Sequence, residues 1–290
     1  MYVSIRDCML SASGVDDPFE ALKSLGLSSV ELVVSKEAEV GSMVEDGAAP
    51  LVLTQPADRS QLMEKLDVIE GSVCAFLMAN DFSSEDFDYE VQALTKVARA
   101  ADEMGVPVVR VDLVPRQGDM DEETFTKRCV RGLGDALDKT ETVEFGIENH
   151  GETSNRPEFL DRVLDGVGDD RLGLTLDTGN FYWYGHPLEM VYHLMEKYAG
   201  RVKHTHVKNI CYPEDIRQKQ REMGYRYGDY VCPVFEGDVD HKLVVQILAE
   251  VGYDRSLCIE DESLGKFSAT EKAEVLEKDV EFLKSLCGAR

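Results

Sequence analysis

Apolar, strand-like runs that end in polar residues recur along this 290-residue chain, each followed by a helix-like stretch. Eight strands are expected: Tyr2–Cys8, Ser29–Val34, Ser72–Ala79, Val106–Val114, Val143–Glu148, Arg171–Asp177, Val202–Val207 and Ser256–Glu260. Helices are expected between them, and the punctuation supports this. Asp16-Asp17-Pro18 reads as a cap and first turn for a helix reaching about Leu25, and Gly26 is its stop. Further helices read as Asp58–Glu70, Asp86–Met104, Asp121–Thr140, Arg156–Val167, Pro187–Ala199, Asp238–Val251 and Ala269–Leu286. Strands separated by crossover helices must run parallel. Eight such units at this length close most economically into one (β/α)8 TIM barrel, read here as a single domain over residues 1–290. The competing open doubly wound sheet expects a glycine-rich phosphate turn after the first strand, and Cys8–Asp17 contains no GxGxxG.

Composition narrows the function classes. Hydrophobic residues make up 43%, enough for a full core, and the formal net charge is −25. A protein that grips phosphate backbones needs clustered Lys and Arg. No basic run exists, so no nucleic-acid partner is expected. Seven cysteines include no CxxC pair, which reads as reduced thiols in a reducing compartment. The first residues, MYVSIRDCML, lack a cationic start followed by an apolar stretch, and no run approaches 18 apolar residues. A cytoplasmic protein with no membrane partner is the expectation.

The chemistry concentrates in four strand ends. RVKHTHVKN places His204 and His206 two residues apart, on one face of a strand. GIENHG offers Glu148, LTLDTGNFY offers Asp177, and LCIEDE offers Glu260. Glu148, Asp177 and His206 follow one another at 29-residue intervals, one strand-plus-helix repeat each. In a (β/α)8 barrel such strand ends share the active-site face. Three carboxylates and one imidazole form a hard, oxygen-rich set. It suits one divalent cation, Mn²⁺ first, with Mg²⁺, Co²⁺ and Zn²⁺ open, better than a structural zinc site. Without a cation, three acids converging there would repel one another.

IENHG, LDTGN, HTHVKN and IEDE resemble, in that order, the strand 5 to 8 motifs of the xylose isomerase-like TIM-barrel family of sugar isomerases, epimerases and apurinic endonucleases. VGYDRSLCIEDE and SVELVV with Glu31 are similar to its last and second strands. The resemblance implies one divalent metal on Glu148, Asp177, His206 and Glu260. It also implies that the catalytic pair Glu148 and Glu260 acts as acid and base on opposite faces of a ketose. It departs at Asn180, where family members often carry a histidine. With six histidines in all, a three-metal endonuclease cluster is not expected.

The expected function is a metal-dependent sugar or keto-sugar isomerase or epimerase, working by proton abstraction beside a carbonyl through an enediolate. The same site could act as a dehydratase of a keto-inositol or a lyase of a 3-keto-glycoside. A non-catalytic sugar- or partner-binding barrel is the third reading. Expected substrate contacts are Asn180, His150, Lys208, Trp183, Arg217 and Asp112, with Asn80 and Tyr182 also near the mouth. His204 reads as barrel filling or support for the site, and His186, His193 and His241 as helix residues without a site role. The long segment at about 209–237, rich in Tyr and Arg, reads as a lid. A small carbohydrate is the expected partner, with a homo-oligomer open.

Overall fold

The computed structural model describes residues 1–45, 47–118 and 120–288. Eight parallel strands close into a barrel. They are β1 (Tyr2–Arg6), β2 (Ser29–Val33), β3 (Ser72–Leu77), β4 (Val108–Val111), β5 (Glu144–Glu148), β6 (Leu172–Asp177), β7 (Val202–Val207) and β8 (Ser256–Ile259). β1 pairs with both β2 and β8, which completes the ring. The helices packed outside are α1 (Pro18–Ser24), α2 (Pro56–Val68), α3 (Phe87–Met104), α4 (Glu122–Leu137), α5 (Pro157–Val167), α6 (Leu188–Tyr198), α7 (His241–Glu250) and α8 (Ala269–Leu286). Among the described residues no helix is long and apolar enough to cross a membrane.

Local chemistry explains most boundaries. Asp17 accepts hydrogen bonds from the Phe19 and Glu20 amides ahead of Pro18-led α1, and Ser268 with Glu271 forms a reciprocal capping box on α8. α4 carries Gly132 because a Cβ there would stand 2.7 Å from the Phe82 ring. Several expected elements are shorter. The strand expected over Val106–Val114 spans four residues: it opens after Pro107, which has no amide to donate, and closes where Asn80 grips both backbone groups of Asp112. The helix expected from Asp238 starts at His241 behind the Asp240 cap. The Asp238 carboxylate is instead held by the Tyr182 hydroxyl, the Tyr212 amide and the Arg217 guanidinium.

Period-2 alternation divides each strand into two faces. Val3, Ile5, Val30, Leu32, Val109, Val111, Phe145, Ile147, Leu172, Leu174, Leu176, Leu257 and Ile259 are buried in the apolar layer under the helices. The other parity points into the barrel and carries Ser4, Arg6, Glu31, Arg110, Glu148, Thr175, Asp177, His204, His206 and Cys258, most of them fully buried. Gly146 belongs to this inner face, and a Cβ there would collide with the Thr175 hydroxyl.

The segment at 209–237 is ordered by its own chemistry. Asn209–Ile210 pairs antiparallel with Val231–Cys232. Arg221 stacks on Tyr182 and Tyr212, 4.4 Å from each ring, and donates to the Tyr182 and His186 carbonyls. Its far side reaches the loop after β8, where Tyr227 hydrogen-bonds Glu262 and Lys266 donates to the Asp229 and Val231 carbonyls.

Candidate active site

The four residues singled out in the sequence come together at the C-terminal end of the barrel. One ligand atom from each of Glu148, Asp177, His206 and Glu260 lies within 4.8 Å of all the others, and all four residues are buried. Register explains the meeting, since Asp177 on β6 stands beside His206 on β7, which stands beside Cys258, two residues before Glu260. Side-chain brackets carry the pairing past the ends of the ladders. Asn149 holds the Asp177 amide and carbonyl at 2.8 and 3.1 Å. The Thr178 hydroxyl does the same for Lys208, accepting from its amide at 3.1 Å and donating to its carbonyl at 2.9 Å. His241 stands behind that bracket, 3.2 Å from the Thr178 hydroxyl, so it supports the site although it read as an ordinary helix residue.

The donor set fits a divalent cation. Among the described residues, Asp177 Oδ2, His206 Nδ1 and Glu260 Oε2, atoms of the quartet, are buried without a hydrogen bond of normal geometry, although Asp177 Oδ2 is ion-paired with Lys208. Such orphaned atoms are costly unless another group satisfies them. His206 Nδ1 lies 3.2 Å from Glu260 Oε2 and 3.6 Å from Glu148 Oε2. Its other nitrogen, Nε2, sits 2.9 and 3.0 Å from the two oxygens of Glu31. Burial opposes the charge on Glu31, but the imidazoles of His206 and His204 hold its carboxyl well below the usual range. An ionised carboxylate cannot donate, so the His206 Nε2 carries the proton and Nδ1 faces the quartet. Burial works against a charged His206, yet Glu31 and then Glu148 outweigh it and push its pKa up to about 9. This is the orienting carboxylate–histidine pair that metal sites use.

Each glutamate of the quartet has its own guanidinium. Arg110 on β4 pairs with Glu148, and Arg6 on β1 pairs with Glu260 and lies 3.5 Å from Glu31. Burial penalises the charge on Glu148, but Arg110 and His206 hold it well below the ordinary carboxylate range. Asp177 goes the other way: burial raises its pKa, and Lys208 offsets only part of that.

The expected substrate contacts divide into two groups. Lys208 is central, with its Nζ 3.1 Å from Asp177, 3.8 Å from Glu260 and 3.3 Å from Glu262. Burial opposes its charge, and Asp177 and then Glu262 raise its pKa. Asn180 donates to Glu148 Oε1 at 3.0 Å, so it touches the quartet directly. Asp112, fully buried, receives His150 at 3.2 Å and pairs with Arg116; the His150 ring itself is partly open to solvent. Arg217 is spent on Asp238 at 3.0 Å and the Tyr212 carbonyl at 2.9 Å, which makes it a brace of the long segment. Trp183 packs against that segment too, beside Gly224. Asn80 is the bracket on Asp112 described above. A cleft of about 640 Å³ lies over the ends of β1 and β2, lined by Asp7, Ser11 and Ser42 among others.

Arg6, Arg110, Glu262 and Tyr227 were not singled out in the sequence, and Glu31 was noted without a site role. A signal existed for three of them. A charged residue at the inward parity of a short apolar strand, as in SIR, VEL and VVRV, needs a buried partner. Tyr227 and Glu262 lie in loops, where no periodicity marks them.

A family model described as xylose isomerase-like TIM barrel matches residues 19–286. The inosose dehydratase of Clostridium perfringens is 23% identical over 256 residues, which is 81% of each chain. The inosose dehydratase of Yersinia enterocolitica is 27% identical over 147 residues, 48% of this chain and 49% of that one. Among solved structures, the IolI protein with a bound zinc atom superposes with a TM-score of 0.71 at 17% identity, covering 100% of both chains. A sugar phosphate isomerase/epimerase from Parabacteroides distasonis gives 0.67 at 15% identity, covering 98% of this chain and 93% of that one. These structural likenesses extend to the fold.

Proposed function

Because this chain belongs to the xylose isomerase-like TIM-barrel family, we propose that it is a divalent-metal-dependent dehydratase of a cyclic polyol ketone of the keto-inositol class. The observation that carries the reading is a proton-bearing group poised beside the paired carboxylates: Lys208 Nζ, buried between Asp177, Glu260 and Glu262. Support also comes from the inosose dehydratases, which align over most of the chain.

Glu148, Asp177, His206 and Glu260 would hold the cation, with Mn²⁺ the first choice for this oxygen-rich set. When bound, it would polarise a ketone oxygen and an adjacent hydroxyl. The protein's own groups do the rest. Glu148, kept ionised by Arg110 and fixed by Asn180, takes the proton from the carbon beside the ketone. The C–H electron pair becomes the new C=C bond, and the C–O bond one carbon further breaks. Lys208 gives its proton to the departing hydroxyl, which leaves as water. Tyr227 and Glu262 keep that ammonium at the rim.

Isomerisation or epimerisation is the second reading. It is favoured by Glu260, a second carboxylate of the same site, which in its protonated form can deliver a solvent-derived proton to the other face while Glu148 keeps the one it took. The two reactions are separated by incubating the Mn²⁺-supplemented protein with a keto-inositol, and then with keto sugars, in deuterated water. Dehydration gives a product lighter by one water. Epimerisation gives an isomer that has gained deuterium. Glu148→Gln should abolish either reaction and leave sugar binding in place. Full turnover in that variant would overturn the assignment of the base, and binding without turnover in the wild type would point to a non-catalytic barrel.

A further inference from the structure

Below the carboxylate quartet the barrel holds a second cluster of ligand atoms. Cys74 on β3, His204 on β7 and Cys258 on β8 are buried, and one ligand atom from each lies within 4.8 Å of the other two. Two thiols and an imidazole are a donor set of a different kind from the quartet above. Sulfur and nitrogen ligands favour zinc-type cations over Mn²⁺ or Mg²⁺.

Glu31 makes the cluster more than a chance meeting. Its Oε1 receives the Nε2 of both histidines, His204 at 3.1 Å and His206 at 2.9 Å. The two rings stand edge to face, 5.5 Å apart. With both Nε2 atoms directed at one carboxylate, both Nδ1 atoms point away from it. That of His206 faces the quartet. That of His204 is met by the Ser256 hydroxyl at 3.1 Å, a neutral donor that a cation can displace. A histidine whose far nitrogen is fixed by a carboxylate is the usual arrangement around a bound metal. Here one carboxylate orients two histidines toward two clusters.

The same layer offers a fourth donor. Ser4, the β1 residue in register with Cys258, is fully buried beside Cys74, and among the described residues its hydroxyl oxygen has no hydrogen-bond partner. The helix-facing layer of the same strands has no such orphan, because it is built of Val, Ile and Leu.

We propose that Cys74, His204 and Cys258, with the Ser4 hydroxyl, form a second cation site on the floor of the barrel, for a thiophilic divalent ion of the zinc type. Binding releases the two thiol protons to solvent, and the two thiolates balance the dication. The buried cluster therefore gains no net charge. A tetrahedral site of this kind brings its ligand atoms to about 3.5–4 Å from one another, and the three protein ligands already lie within 4.8 Å. The floor and mouth sites thus differ in the metal they select and share one orienting carboxylate.

The test is to produce the protein in cobalt-supplemented minimal medium and record its near-ultraviolet absorption and metal content. Thiolate-to-cobalt charge transfer arises from sulfur ligation alone, so it reports the floor whatever becomes of the mouth. The wild type should show that band with about two cobalt ions per chain. Asp177→Asn should keep the band, and Cys74→Ser/Cys258→Ser should lose it together with one ion. Cobalt-edge X-ray absorption on the wild type should show sulfur in the coordination shell, a reading that needs no variant to fold. Wild-type cobalt protein without sulfur ligation would overturn the proposal. So would a Cys74–Cys258 disulfide found by mass spectrometry of the unreduced protein.

Discussion

The two faces of one eight-stranded sheet obey different rules. The face under the helices is apolar apart from Thr205 on β7, and its other residues are interchangeable in kind: Val, Ile, Leu, Phe. The face inside the barrel is charged at the mouth and thiol- and hydroxyl-bearing below it. Barrel interiors are usually filled with branched aliphatic side chains. Here the outer face supplies cohesion, and the inner face spends stability on placing groups that water would otherwise satisfy. Buried ion pairs are weak evidence for stability. Arg6–Glu260 and Arg110–Glu148 are better understood as positioning devices that fix two carboxylates in a dry site.

This contrast can be broken by substitution. The largest effect should come from Glu148→Gln on the inner face. Turnover per folded molecule should fall about 10²–10⁴-fold, the usual worth of a positioned base, and stability should fall as well, because the buried Arg110 loses its ionised partner. Unchanged turnover per folded molecule would mean that Glu148 is not the base. Arg110→Met should come next, because it strands Glu148 in the interior. A loss of about 3–5 kcal/mol is expected in urea unfolding, and Arg110→Met/Glu148→Gln should recover much of it. Failure of the double variant to recover would refute the pairing argument. Leu174→Ala on the outer face should cost about 2–5 kcal/mol and leave turnover per folded molecule unchanged. A selective loss of turnover there would erase the distinction between the faces.

The smallest effect concerns a buried acid outside the barrel. Asp279 on α8 is held up to about 9, first by burial and then by neighbouring Asp261. Its value when unfolded is 3.8, so the folded state binds this proton more tightly. Its contribution is therefore complete below pH 4 and is lost as pH rises toward 9. Asp279→Asn should remove that decline. It should raise stability on the order of 1 kcal/mol at neutral pH, with hydrogen-bonded neighbours absorbing part of the change. Melting curves from pH 5 to 9 that run parallel for both proteins would contradict this.

Legibility in the sequence followed the same division. The outer face was readable because its period of two and the capped helices between strands are local patterns, and eight repeats leave few ways to close. The mouth quartet was readable because ligand-type residues ended four successive apolar runs. The positioning layer was harder to read. Arg6 and Arg110 look like stray charges until β1 and β4 are curled against β8 and β5. His241 looks like a helix residue until Thr178 is seen across from it. Arg217, expected near substrate, braces the long segment through Asp238, a partner that the sequence reading places in a helix. The thiol floor was invisible, since Cys74 and Cys258 lie 184 residues apart in sequence and β3 and β8 are not paired.

The central claim is that Glu148, Asp177, His206 and Glu260 hold one divalent cation. Titration of the metal-free protein with Mn²⁺, followed by electron paramagnetic resonance of the unbound ion, tests it most directly, because the thiol floor does not favour Mn²⁺. The wild type should take up about one Mn²⁺ per chain, and Asp177→Asn and His206→Ala should each abolish that uptake with the fold intact. Uptake by neither the wild type nor the variants, or equal uptake by all three, would contradict the account.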